Sequence, residues 1–117
     1  MLTVGISGQA TRLADETNTA QAMGSGDLLV FSTPSMVALM EEAAVRSVAP
    51  YLDEGQSTVG TAIDVRHTAA TPVGMTVTCE SRLTGVDGRR LTFAIRAYDE
   101  KGEVGSAAHV RAIVDAA

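Results

Sequence analysis

The sequence has few cysteines, few aromatic residues and no long apolar run. Its single cysteine, Cys79, excludes an intramolecular disulfide framework and a cysteine-rich metal site. With two Phe, two Tyr and no Trp, the core is predicted to be aliphatic and filled in part by methionine. The longest strongly apolar stretch without charge, residues 28–40, is too short to span a bilayer. No signal-peptide pattern is visible, so we expect a cytoplasmic protein.

Positive charge is also scarce. Nine Lys and Arg against 14 Asp and Glu give a net charge of −5, so no basic field is available to displace counterions from nucleic acid or from an anionic membrane. We therefore expect neither as a partner. The two histidines lack the spacing of metal ligands, and no glycine-rich phosphate loop is present. Neither a metal nor a cofactor is expected.

The length of 117 residues predicts one domain, residues 1–117. A chain of this size buries only about two-thirds of its unfolded surface, which favours self-association. Residues 2–16 have the pattern of a weak first strand, and residues 17–26 that of a short capped helical turn closed by glycines.

The main helix is predicted between two prolines. Thr33 suits the N-cap, Pro34 suits the first helical position, and Pro50 ends the run. Glu42 lies on the polar face, where an arginine four residues later can pair with it. Glu41 instead lies at the edge of the apolar arc, where a carboxylate is unfavourable unless it is paired or used. The arc consists of Met36, Val37, Leu39, Met40, Ala43, Ala44 and Val48.

Everything after residue 53 alternates as strands do. The pattern predicts strands over residues 58–71, 75–84, 91–98 and 103–114, joined by a turn at residues 72–74 and a hairpin at Asp87–Gly88. We interpret them as a four-strand meander. One long helix against one antiparallel sheet predicts an α+β hot-dog fold, with the helix across the apolar face of the sheet.

His67 lies within the first of these strands. Alternation puts it on the same face as Val59, Thr61, Ile63 and Val65, opposite the charged Asp64 and Arg66. The histidine is therefore expected to point inward. A lone inward histidine is more often a satisfied core residue, and Glu41 alone could be a rim carboxylate that binds a partner's arginine. The residues by themselves leave both alternatives open.

Four segments carry a family resemblance: TPSMVALMEEAAVRSVAPYL, VGTAIDVRHTAATPVGMTV, VDGRRLTF and AHVRAIV. Over about residues 31–114 the chain resembles the fluoroacetyl-CoA thioesterase family of hot-dog proteins. The resemblance implies catalytic residues at Thr33, Glu41 and His67, and substrate-binding residues at Gly60 and Arg111. It also implies a homodimer with sites at the subunit interface. A tetramer is the alternative assembly. The chain departs from the family in residues 17–30, which contain no aromatic residue, and in the AAHVR of the last strand.

The leading hypothesis is a thioesterase that hydrolyses a short acyl-CoA to the free acid and CoA. Glu41 would act as general base or nucleophile, His67 as proton shuttle and Thr33 as an orienting hydroxyl. Gly60 would allow close backbone approach to the thioester. Two other functions stay open: a non-catalytic acyl-CoA binder or sensor, and a hydratase acting on an enoyl-CoA. His109 is interpreted as a structural residue and Cys79 as a core residue.

Overall fold

One long helix lies across a five-stranded antiparallel sheet. The computed structural model describes residues 1–116. The sheet order is β1-β3-β4-β5-β2, and every neighbouring pair is antiparallel. The predicted packing of a single long helix against one curled antiparallel sheet is confirmed. In chain order, the elements are β1 (Ser7–Leu13), α1 (Ala20–Met23), α2 (Thr33–Val48), a 3-10 turn (Ala49–Tyr51), β2 (Gln56–His67), β3 (Thr76–Asp87), β4 (Arg90–Asp99) and β5 (Gly102–Asp115).

The N-terminus of α2 differs by one residue from the prediction. Ser32, rather than Thr33, is the N-cap, and its hydroxyl accepts the Ser35 N–H at 3.2 Å. Thr33 is the first helical residue, which leaves its hydroxyl available to another partner. The helix gives way to a 3-10 turn that contains Pro50, as the proline predicted. No helix within residues 1–116 has the length and apolar character needed to cross a membrane.

The core is mainly aliphatic, as the composition predicted, and it also contains Phe31 and Phe93. The buried face of α2 packs on β1, β3 and β4. Cys79 on β3 is fully buried, and burial raises the pKa of its thiol to about 12, so the sulfur is protonated and unreactive. The buried residues of α2 are Met36, Leu39, Met40, Ala43, Ala44, Ser47 and Val48.

The predicted four-strand meander is wrong for its first strand. β3, β4 and β5 form a meander, but β2 pairs with β5 at the far edge of the sheet. The link from β2 to β3 is not a tight turn, because it pairs with the segment before α2: Phe31 N–H donates to the Thr71 carbonyl, and Val30 forms a bridge with Pro72. Alternation predicts strands, whereas pairing depends on these distant contacts.

A bulge in β2 overturns part of the predicted face assignment. The register against β5 shifts between Gly60 and Ala62, so the inward set changes parity there. Before the bulge, Thr58 is buried and Val59 is 46% exposed. After it, Ile63 and Val65 turn toward the core, as expected. The bulge puts Gly60, rather than Val59 or Thr61, on the helix side of the strand.

Candidate active site

Thr33 and His67 meet where α2 begins and β2 ends. Thr33 Oγ1 lies 2.7 Å from His67 Nδ1, a hydrogen bond whose direction is set by the imidazole tautomer. The contact is possible because Ser32 caps the helix and releases the Thr33 hydroxyl. Two residues that the sequence assigned to one site are therefore in direct contact.

A cleft of about 300 Å³ opens beside this pair. Its walls come from the segment before α2 and from residues 67–70 at the end of β2. Partial burial lowers the pKa of His67 below its usual 6.5, and a hydrogen bond with the Ala69 backbone opposes that shift. The imidazole is consequently neutral near pH 7 and able to accept a proton.

Glu41 and Gly60 meet farther along the helix. A Cβ atom at position 60 would lie 2.8 Å from Glu41 Oε2 and 3.3 Å from Arg111 Nη1. Only a glycine leaves the carboxylate free to lie this close to the strand. The Glu41 side chain is 40% exposed, in contrast to the fully buried Met40 beside it. Glu41, Gly60 and Ile63 line a second cleft of about 330 Å³.

Arg111 lies behind Glu41, with 5% of its surface exposed. Its Nε donates to Thr58 Oγ1 at 2.9 Å, and its Nη2 donates to the Thr58 carbonyl at 3.0 Å. Nη1 lies 3.7 Å from Glu41 Oε2. Burial lowers the pKa of Arg111, and the negative charge of Glu41 opposes that shift. A guanidinium is still charged at neutral pH, so Glu41 faces a fixed positive charge.

Within one chain these residues form two separate groups. Thr33 and His67 line the first cleft, whereas Glu41 and Gly60 line the second. Thr33 and Glu41 are eight residues apart on α2, about 12 Å along the helix axis. The expected convergence of Glu41 and His67 on one cleft is therefore not found inside a single protomer.

The sequence and the fold both have close relatives. A family model described as FlK, fluoroacetyl-CoA-specific thioesterase, matches residues 14–117. The chain belongs to this family. A fluoroacetyl-CoA thioesterase from Streptantibioticus cattleyicolor is 53% identical to it over 85 residues, which cover 73% of this chain and 61% of that protein. The match thus spans less than two-thirds of the relative's length.

Solved structures support the same relationship. A phenylalanine-to-alanine variant of the fluoroacetyl-CoA-specific thioesterase FlK, in complex with fluoroacetate and CoA, superposes with a TM-score of 0.91 at 40% identity, covering 97% of this chain and 96% of that one. A hot-dog-like protein from Thermanaerovibrio acidaminovorans superposes with a TM-score of 0.88 at 25% identity, covering 97% and 84%. The predicted hot-dog fold is confirmed.

Two residues that contact Arg111, Thr58 and His109, were not identified as its neighbours from the sequence. Thr58 precedes the bulge, so simple alternation placed it on the wrong face of β2. His109 was interpreted as structural, yet its Nε2 lies 3.2 Å from Arg111 Nη1. Its position two residues before Arg111, on the same face of β5, was the available signal. Within residues 1–116 no three His, Cys, Asp or Glu side chains are grouped to hold a metal ion.

Proposed function

We propose that this protein is an acyl-CoA thioesterase in which Glu41 is the catalytic carboxylate. The reaction consumes water, breaks the C–S bond of the thioester, and releases a carboxylic acid and the CoA thiol. The observation that carries the proposal is the placement of Glu41: a partly exposed carboxylate on an otherwise apolar helix face, over a glycine and beside a buried arginine. Family membership supports the same chemistry.

Glu41 can act in two ways that lead to the same products. As a general base it takes a proton from water, and the hydroxide adds to the thioester carbonyl. As a nucleophile it displaces CoA to form a mixed anhydride, which water then hydrolyses. Either route develops negative charge on the carbonyl oxygen, where the backbone of Gly60 is the proposed donor. Arg111, buried behind Glu41, would affect substrate binding through its charge.

The Thr33–His67 pair is proposed as the proton shuttle. The departing CoA thiolate needs a proton, and the attacking water must lose one. A neutral imidazole next to a hydroxyl is suited to accept the proton from water and to pass it to the thiolate. Because His67 and Glu41 belong to separate groups in one chain, we propose a homodimer in which the Thr33–His67 pair of one protomer completes the Glu41 cleft of the other. A tetramer of such dimers is the alternative. β2 offers an edge for this contact, since β5 is its one neighbouring strand within residues 1–116 and Val59 on it is 46% exposed.

The proposed substrate carries a short acyl group, because each cleft is at the small end of the usual range for ligand pockets. A preference for fluoroacetyl is not part of the proposal. Ala20, Ser25 and Val30 line the Thr33–His67 cleft together with Phe31. No aromatic residue occurs among residues 17–30. We propose a cytoplasmic location, since CoA thioesters are intracellular metabolites.

The test is thiol release by the purified protein across a panel of acyl-CoA esters, including acetyl-CoA, fluoroacetyl-CoA and an enoyl-CoA. Hydrolysis of short esters that is lost in Glu41→Ala and in His67→Ala is the expected result. Activity unchanged in both variants would refute the assigned site. Hydration of the enoyl-CoA without thiol release would favour the hydratase, and tight acyl-CoA binding with no turnover would favour the non-catalytic binder.

A mixed dimer tests whether the site is shared between protomers. Co-expressed Glu41→Ala and His67→Ala chains with different tags can be isolated as a heterodimer. If each site takes Glu41 from one protomer and His67 from the other, one site of this heterodimer is intact and about half of the wild-type activity returns. If both residues must come from one chain, the heterodimer is as inactive as its parents.

A further inference from the structure

The guanidinium of Arg111 is held by more than the strand that carries it. Its Nε and Nη2 both donate to Thr58 on β2, and its Nη1, the nitrogen that faces Glu41, donates to His109 Nε2 at 3.2 Å. His109 is 1% exposed. The orientation of Nη1 toward Glu41 therefore depends on a buried imidazole that also lines the Glu41 cleft.

The contacts of His109 define its tautomer. An arginine nitrogen can only donate, so Nε2 must be unprotonated and accept. Nδ1 lies 2.8 Å from the Ala62 carbonyl, which can only accept, so Nδ1 must carry the proton. Both ring nitrogens thus have a partner of the correct kind. The neutral imidazole protonated at Nδ1 satisfies both contacts, and an imidazolium would turn a second N–H toward Arg111.

The β2 bulge supplies the carbonyl that orients the ring. The register shifts between Gly60 and Ala62, and the Ala62 carbonyl accepts from His109. The Thr61 hydroxyl donates to the Val110 carbonyl at the same irregularity. The same bulge therefore places Gly60 next to Glu41 and supplies the carbonyl that positions His109.

We propose that His109 is a positioning residue: as a neutral Nδ1–H imidazole it accepts from Arg111 Nη1 and so holds the guanidinium at Glu41. This inference rests on the proposed catalytic role of Glu41. Burial lowers the pKa of His109, and the charge of Arg111 lowers it further, whereas the Ala62 hydrogen bond and the charge of Glu41 raise it. Arg111 and Glu41 are the charged groups that act on the ring, and Phe93 packs against it with ring centroids 6.0 Å apart.

Two near-isosteric variants separate the hydrogen bonds of His109. His109→Gln can place an amide oxygen near the position of Nε2 and keep the acceptor for Arg111. His109→Asn can keep a donor for Ala62 but loses that acceptor. The expected kcat/KM is close to wild type for the Gln variant and reduced about 100-fold for the Asn variant, the effect of a misplaced catalytic group. A merely structural histidine predicts instead that both variants lose activity in proportion to their loss of Tm.

Val77→Ala provides the stability control, because Val77 is fully buried on β3 and is not among the contacts of Arg111. It should lower Tm and leave kcat/KM within about twofold. Equal kcat/KM for the Gln and Asn variants would overturn the inference. If Glu41→Ala also keeps full activity, the proposed function fails as well. If Glu41→Ala is inactive, only the role of His109 fails.

A spectroscopic readout tests the inference without turnover. The ¹⁵N spectrum of the imidazole should show a protonated Nδ1 and an unprotonated Nε2 at neutral pH. The Arg111 Nη signals should be resolved and slow to exchange in the wild type and in His109→Gln, and should broaden in His109→Asn. A protonated Nε2 in the wild type would overturn the inference.

Discussion

The two groups of candidate residues differ in how firmly the fold holds them. Thr33 and His67 share one hydrogen bond at the rim of an open cleft, and Thr33 is exposed. Arg111 is buried and donates three hydrogen bonds, with Glu41 beside it. A proton shuttle must be accessible and able to change partner, whereas a charge that faces a catalytic carboxylate works best when it does not move. The exposed Thr33–His67 pair fits the first requirement, and the buried Arg111 fits the second.

The elements that carry the groups explain the difference. Thr33 begins α2 and His67 ends β2, so each depends on a terminus next to a loop. Glu41 lies in the middle of α2, and Arg111 lies within β5, which is paired on both sides by β2 and β4. Positions inside regular elements are held by neighbours on every side, and termini are not. The comparison therefore predicts a different response to mutation in each group.

The largest effect is expected from Glu41→Gln. Loss of the carboxylate removes the proposed base or nucleophile, so kcat/KM should fall by about 1,000-fold, while the side chain is exposed enough for the fold to survive. Glu42→Gln is the matched control, since Glu42 forms ion pairs with Arg12 and Arg46 on the surface. Thioester cleavage and circular dichroism on both variants measure the effect. Equal activity in the two variants would contradict the role of Glu41.

Gly60→Ala should lower kcat/KM by about 100-fold with little loss of stability. The new Cβ would lie 2.8 Å from Glu41 Oε2, the flexible end of a side chain, so the carboxylate must move. It would also lie 3.3 Å from Arg111 Nη1 and from His109 Cε1, so these side chains must shift by a few tenths of an ångström. Gly55→Ala is the contrasting variant: its φ of 82° is unfavourable for alanine, and no atom lies within 4 Å of its Cβ position. It should lower Tm and retain activity. The reverse pattern would show that Gly60 serves the fold alone.

The sequence was informative where local chemistry decides the structure. Two prolines predicted the ends of α2, and the apolar arc placed Glu41 at the edge of its buried face. Alternation of side chains predicted the strands. Prediction from the sequence failed where pairing between distant strands decides the structure. Simple alternation cannot reveal the bulge after Gly60, so Thr58 was placed on the wrong face of β2. The separation of His67 from Glu41 within one chain also depends on strand order, which periodicity does not encode.

Thr33→Val removes the hydroxyl and keeps the shape of the side chain, so kcat/KM should fall by about tenfold, the value of one hydrogen bond to the shuttle. Thr33→Ser should retain most activity. Because Ser32 caps the helix, neither variant should change Tm, whereas Ser32→Ala should cost about 1 kcal/mol of folding free energy. Kinetics and urea unfolding measure the two quantities. A Tm loss in Thr33→Val equal to that of Ser32→Ala would assign Thr33 to the cap instead.

The smallest effect concerns the stability of both groups in acid. Burial lowers the folded pKa of His67 and of His109 below the 6.5 of an unfolded histidine. Below pH 6.5 the unfolded chain therefore binds protons that the folded chain does not, so this part of the folding free energy is fully present above pH 6.5 and falls with acidification. Asp15 has a lowered pKa, and its contribution disappears only below its usual 3.8.

Urea unfolding at about pH 7.5 and about pH 5.5 measures this dependence, on either side of the reference pKa of histidine. The wild type should be less stable at the lower pH. His109→Gln should flatten the dependence more than His67→Gln, because His109 is 1% exposed and its protonation would also bring a second positive charge against Arg111. A dependence that is identical in both variants would mean that the two histidines are equally free to take up a proton. The proposed difference between the buried Arg111 group and the exposed Thr33–His67 pair would then be contradicted.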